Sequence, residues 1–142
     1  MSSVFSKIIS GELPGRFVWE DPEVVAFLTI APVAAGHTLI VPREEIDRWT
    51  DLEPRLLARL NEVAQAVGKA VVEGFGASRA GYLIAGFEVP HTHIHVFPAE
   101  DMSVFDLSRA DPDTPAEVSD AAAATIRRVL RDLGHGEFVP SD

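Results

Sequence analysis

The strongest constraint on the fold is a run in which every second residue is histidine: His91-Thr92-His93-Ile94-His95-Val96-Phe97. Thr92, Ile94, Val96 and Phe97 are β-branched or aromatic and favour extended backbone. Successive side chains on a strand point to opposite faces, so the three imidazoles share one face, roughly 6.6 Å from one to the next. A core has no use for adjacent rings whose polar nitrogens all need partners. The run is therefore expected to be a working site.

The rest of the chain supplies a sheet and helices around this strand. Val4 to Ile9 reads as a short helix broken by Gly11 and Pro14. Arg16–Glu20 and Val24–Leu28 read as strands joined by the turn sequence Asp21-Pro22-Glu23, and Gly36–Val41 as a third strand ended by Pro42. Leu52, Leu56, Leu60, Val63, Val67 and Val71 form the stripe of an amphipathic helix. Pro54 belongs in its first turn, with Asp51 or Thr50 as cap and Gly74 and Gly76 at its end. Gly81–Ala85 and Thr92–Phe97 complete the sheet. Thr114-Pro115-Ala116-Glu117 has the form of a capping box with proline at the first helical position. It opens a last helix whose apolar face is Val118, Ala122, Ile126, Val129 and Leu133, with Gly134 at C′. Strands separated by one long helix, with another appended, give an α+β protein with a mostly antiparallel sheet.

Composition narrows the function. The 142 residues fit one domain, residues 1–142. No segment reaches the ~18 uninterrupted apolar residues of a membrane span, and the N-terminus lacks the pattern of a secretory signal. The chain has no cysteine, which excludes disulfides and thiolate metal sites and fits a cytoplasmic protein. A net charge of −10 argues against non-specific nucleic-acid binding, though local donors still suffice for a small anion.

Two chemistries suit the histidines. Two imidazoles at i, i+2 share a metal ion readily, but the outer pair lie ~13 Å apart and each ligand must come within ~2.1 Å of the metal. A two-histidine site completed by a distant Asp or Glu stays open. Alternatively, a neutral imidazole with one nitrogen held by a hydrogen bond is a nucleophile near pH 7. Its neighbours would then stabilise anionic oxygens and protonate a leaving group, and phosphorus is the natural electrophile. This second chemistry uses all three rings.

The run matches the His-φ-His-φ-His-φ-φ signature of the histidine triad (HIT) superfamily, with Thr92 less apolar than usual. Residues 27–42, which carry His37, look like the superfamily's strand, loop and strand with a further histidine. Residues 4–14 are similar to the start of its histidine triad nucleotide-binding branch. The resemblance covers about residues 4–98, leaving 99–142 as a C-terminal extension. It implies a HIT-like antiparallel sheet, a homodimer, and hydrolysis or transfer at the α-phosphate of a purine nucleotide or nucleotide conjugate. The reaction would run through a nucleotidyl-histidine and needs neither cofactor nor catalytic metal. By this resemblance His93 is the nucleophile, His95 contacts phosphate or assists the leaving group, and His91 and His37 orient and support the site. Phe5, Ile8, Phe27 and Ile30 fall where the branch lines its base and ribose pocket. The expected activity is that of a nucleotide hydrolase or phosphoramidase. A dinucleoside polyphosphate hydrolase and a nucleotide-binding module with little catalysis are the alternatives.

The chain departs from that pattern in three places. Thr29 replaces the acid that grips the ribose, so a charged two-pronged contact becomes at most single neutral hydrogen bonds. Phe87 and Glu88 stand where a glutamine and often a serine contact phosphate, and Glu88 is expected to face away or serve another role. Ser6 replaces the first cysteine of a zinc-binding subset, so that structural metal is not expected. His135 is expected to be exposed and uninvolved, and Arg127, Arg128 and Arg131 to form the polar face of the last helix.

Overall fold

The computed structural model describes residues 2–141; Met1 and Asp142, the ends of the expected domain, lie outside the described residues. The elements in chain order are α1 (Val4–Ser10), β1 (Phe17–Glu20), β2 (Val24–Leu28), β3 (Thr38–Pro42), α2 (Pro54–Phe75), β4 (Arg79–Leu83), β5 (Ile94–Ala99) and α3 (Ala116–Asp132). The strands form one five-stranded antiparallel sheet in the order β1-β2-β3-β5-β4. The long helix carries the chain from β3 to β4 at the sheet's edge, and β5 then returns to pair between them. The fold is the expected α+β architecture.

Period-two alternation gives the sheet two different faces. Val24, Ala26 and Leu28 of β2, Ile40 of β3, and Ile94 and Val96 of β5 pack against α2. Leu56, Leu60, Val63, Val67 and Val71 of the predicted stripe are all buried there. Each fully buried Val, Leu or Ile contributes about 1.5–3 kcal/mol relative to exposure. Ile126, Val129 and Leu130 of α3 join the same cluster, so the C-terminal helix covers the sheet beside α2. On the other face Val25, Phe27, Leu39 and Val41 pack with Phe5 of α1. His95 pairs with Leu39 and so shares this second face.

Several local expectations shift, each for an identifiable reason. Neither Asp51 nor Thr50 caps α2; both lie in a short 3₁₀ turn, Trp49–Asp51. Pro54 forces the residue before it into extended backbone, so Glu53 is the N-cap, without a side-chain cap bond. Pro115 likewise becomes the N-cap of α3 rather than its first helical residue. The Thr114 hydroxyl donates to the Asp111 carbonyl instead of closing a capping box (2.9 Å). Gly76, in left-handed backbone at φ 62°, ends α2, whereas Gly74 lies inside the helix. A Cβ at Gly74 would meet Thr125 Cγ2 at 2.7 Å, so this glycine permits the close approach of α3. The buried face of α3 is also rotated from the expected one: Ser119, Ala123 and Leu130 are buried, while Val118 and Leu133 are 43% and 39% exposed. His135 is half-buried and its ring lies 5.3 Å from Trp19, so it packs rather than standing free. Arg127 Nε and Arg131 Nη2 donate to the carbonyls of Phe17 and Pro140 (2.7 and 2.8 Å), joining α3 to β1 and to the C-terminal segment.

Candidate active site

The histidine strand begins later than its sequence pattern predicts. Only His95 lies on β5; His91 and His93 lie in the segment leading into it. The ladder to β3 starts at the pair Ile40–Ile94, and the Thr92 N–H instead donates to the Ile46 carbonyl at 2.7 Å. The rings still converge. His93 and His95 have centroids 4.9 Å apart, and His37, at the entrance to β3, lies 5.1 Å from His95. Phe5 sits edge-on to both His93 (4.8 Å) and His91 (5.9 Å).

Hydrogen bonds fix the tautomers of the four clustered imidazoles. The His91 carbonyl can only accept, so His93 Nδ1 donates to it (2.7 Å) and His93 Nε2 carries a bare lone pair. The Val33 N–H donates to His37 Nδ1 (3.1 Å), which leaves the proton on His37 Nε2. That N–H donates to His95 Nδ1 (2.9 Å), so His95 presents Nε2–H. His91 Nε2 donates to the Pro42 carbonyl (2.7 Å), and its Nδ1 accepts from the Ser3 hydroxyl (2.7 Å). The result is an unshared electron pair on His93 beside an N–H donor on His95.

Burial keeps these rings neutral. It pushes His37 down to about 3, with the neighbouring His95 and His93 adding to the effect. Burial, with His93 beside it, takes His95 to about 4. His93 is also lowered, chiefly by burial; its bond to the His91 carbonyl and the nearby Glu88 carboxylate work in the opposite direction. Glu88 is exposed on the loop before the triad, and its negative charge favours protonation of the central ring. Unfolded histidines titrate near 6.5, so on acidification the unfolded chain takes up protons first. The stability this burial contributes is therefore full above about 6.5 and is lost as pH falls toward the folded values near 4 and 3. The midpoint of urea unfolding is expected to fall between about pH 7 and pH 5.5, above the range where carboxylates titrate.

The other sequence-predicted residues divide. Ile8, Phe27 and Ile30 line one cleft of about 350 Å³ together with Pro14, Arg16 and Asp120. Ile30 is 80% exposed at its rim. Phe5 is buried beneath, its ring 5.6 Å from Phe27, and supports the cleft from below. Thr29 stands apart, in a narrow crevice with Pro32 and His37, and its hydroxyl accepts the Ala31 N–H (3.2 Å). Sequence reasoning missed Arg16 and Asp120, whose ion pair (2.7 Å) brings α3 to the cleft, and Ser3 behind His91. A side chain from residue 120 meeting one from residue 16 leaves no periodic signal in the sequence.

Residues 10–102 match the family model described as HIT domain. The chain belongs to the HIT family. A zinc-bound histidine triad family protein from Mycobacterium smegmatis is 30% identical, with a TM-score of 0.80 over 96% of this HIT chain and 98% of that one. A hypothetical histidine triad nucleotide-binding protein from Sulfolobus tokodaii is 27% identical, with a TM-score of 0.81 over 91% and 92%. A HIT family hydrolase from Legionella pneumophila is 31% identical, with a TM-score of 0.63 over 72% and 96%. The M. smegmatis and S. tokodaii matches extend beyond the HIT model into the C-terminal extension of this chain, where α3 lies.

Proposed function

We propose that this HIT protein is a nucleotide hydrolase or phosphoramidase that cleaves at the α-phosphorus of a purine nucleotide conjugate. The observation that carries the reading is the pairing of a bare His93 Nε2 with the adjacent Nε2–H of His95. His93 Nε2 attacks phosphorus and the bond to the leaving group breaks; the neutral His95 offers its Nε2–H as a hydrogen bond to the departing atom, which takes its proton from water. Water then attacks the nucleotidyl-histidine and loses its proton to solvent, which breaks the P–N bond, releases the nucleoside monophosphate and regenerates His93. The His91 carbonyl steadies the positive charge that develops on the His93 ring, and His37 holds His95 in its tautomer. The apolar cleft of Ile8, Phe27 and Ile30 suits a nucleobase. The printed descriptions of the S. tokodaii and L. pneumophila relatives, nucleotide-binding protein and hydrolase, agree with this reading.

We propose that the zinc of the M. smegmatis relative has no structural counterpart in this chain. This chain has no cysteine, and Ser3, Ser6, Glu45 and His91 are already hydrogen-bonded to one another. Among the described residues no group of three or more His, Cys, Asp or Glu is placed to hold a metal ion. The chain is also proposed to form a homodimer. The stripe along α2 is core, so the interface would use the edge strand β4 and the apolar cleft of about 770 Å³ that it forms with α2. A solution mass of two chains by light scattering is the check.

A second reading, nucleotide binding with little turnover, is favoured by Thr29, Phe87 and Glu88, which stand where the family's ribose- and phosphate-contacting side chains are expected. Quenching the protein seconds after mixing with adenosine 5′-phosphoramidate separates the two. Adenylate found on His93 by mass spectrometry supports the hydrolase, whereas binding without an adduct supports the second reading.

A further inference from the structure

The nucleophile is oriented by a main-chain carbonyl, so the question becomes what holds that carbonyl in place. It belongs to His91, whose side chain is fully buried and fastened at both ends. On one side His91 Nε2 donates to the Pro42 carbonyl at the end of β3, and on the other its Nδ1 accepts from the Ser3 hydroxyl (both 2.7 Å). Ser3 lies 88 residues away along the chain and is itself buried. The same Ser3 oxygen accepts the Ser6 N–H (3.0 Å) as the N-cap of α1. α1 in turn carries Phe5, whose ring rests on His93. The outer end is tied down by Glu45, on the loop after β3. Its Oε1 accepts the Ser3 N–H (2.6 Å) and the Ser6 hydroxyl (2.7 Å).

We propose that Ser3 is a positioning residue for the His93 reaction: its hydroxyl, tethered by Glu45, sets the His91 ring and through it the carbonyl that keeps the proton on His93 Nδ1. Sterically and electronically the relay is complete. The Ser3 hydroxyl donates one proton, to His91, and accepts one, from Ser6, so its orientation is not free to invert. A buried imidazole nitrogen deprived of its donor costs free energy that the ring recovers by switching tautomer or rotating. Either change sacrifices the bond to Pro42 and loosens the residue that supplies the His93 acceptor. A proton then found on His93 Nε2 removes the lone pair needed for attack.

Glu45 enters the relay as an anion. The N–H of Ser3 and the hydroxyl of Ser6 bring its carboxyl down to about 2, so it remains charged through the whole pH range in which the histidines titrate. Its bonds fasten residues 3 and 6 to the β3–α2 loop, and the cap of α1 is thus anchored to the same part of the molecule that provides the Pro42 carbonyl.

This inference rests on the nucleophile assignment above, and its test includes a readout that needs no substrate. Wild type, Ser3→Ala, Ser3→Thr and Glu45→Ala are compared by long-range ¹H–¹⁵N spectra of the imidazoles, by kcat and KM on adenosine 5′-phosphoramidate, and by thermal melting. In wild type His93 is expected as the pure Nδ1–H form and His91 as the Nε2–H form. Ser3→Ala is expected to populate the Nε2–H form of His93 and to lower kcat about tenfold with KM within twofold. Ser3→Thr, which restores the hydroxyl, is expected to recover both. A folded Ser3→Ala protein with wild-type tautomers overturns the proposal, whatever its melting temperature, because the serine is then only a helix cap. If Ser3→Ala does not fold, the exposed Glu45→Ala decides: a shift of His93 toward Nε2–H supports the relay, and unchanged His91 and His93 signals overturn it. Absence of turnover in wild type would count against the hydrolase reading alone, since the tautomer comparison stands without it.

Discussion

His93→Ala is expected to lower kcat by roughly 10⁴-fold or more on adenosine 5′-phosphoramidate, the loss typical when a covalent nucleophile is removed. The adenylate adduct should disappear from mass spectra of the quenched reaction, because alanine offers no lone pair to phosphorus. Nucleotide binding, followed by calorimetry, should change by less than about tenfold, since Ile8, Phe27 and Ile30 line their cleft without help from His93. The contrast between the two measurements matters more than either alone. A variant that keeps measurable turnover, or wild-type protein that turns over without labelling at His93, sinks the nucleotidyl-histidine route. His95→Ala should cost less, on the order of 10²-fold, with the deficit smallest for substrates whose leaving group departs without a proton.

The largest effect on stability is expected far from the histidines, at the turn between β1 and β2. Asp21 is buried, and its carboxylate accepts from Trp19 Nε1 (2.8 Å), the backbone N–H groups of Glu23 and Val24 (2.7 and 2.8 Å) and Arg59 Nη2 (2.8 Å). The Arg59 guanidinium lies over the rings of Trp19 and Phe138, which places it between α2 and the C-terminal segment. Asp21→Ala leaves four donors without their acceptor. A loss of about 3–5 kcal/mol is expected, since the buried indole and turn N–H donors lose their charged acceptor, while Arg59 keeps its pair with Glu62 (3.1 Å). For a chain of this size that is a fall of roughly 10–20 °C in melting temperature by circular dichroism. Arg55→Ala is the control: it removes an exposed pair with Glu23 and should change stability by less than about 1 kcal/mol. Equal effects from the two substitutions would contradict the role given to burial.

The legible parts of this protein are those written in local periodicity. Apolar runs bounded by a turn sequence and by proline mark β2 and β3, the three- and four-residue spacing marks α2, and the histidine run carries the family signature. Boundaries near proline were less legible, because the sequence patterns favour Thr50, Asp51 or Thr114 as caps while the backbone restraint before proline moves the cap elsewhere. His91 and His93 lie outside the strand because the ladder to β3 stops at Ile40–Ile94 and the Thr92 N–H turns to the Ile46 carbonyl of the loop after β3, a contact that no property of residues 91–93 reveals. The links from Ser3 to His91, Arg16 to Asp120 and Val33 to His37 depend on loop geometry and on contacts between distant segments. Each involves a common polar residue or a backbone amide with no distinguishing neighbours. Fold and family were therefore readable from pattern, while the proton positions that decide chemistry required the three-dimensional hydrogen-bond network.

A peptide oxygen is common to all twenty amino acids. Because the atom that orients the His93 imidazole is such an oxygen, exchanging one side chain for another cannot delete it. Positions around the triad are then at liberty to change, as threonine at 29, phenylalanine at 87 and glutamate at 88 illustrate, without removing that oxygen from the His93 ring. Substrate preference across such proteins should accordingly drift much faster than the chemistry they share.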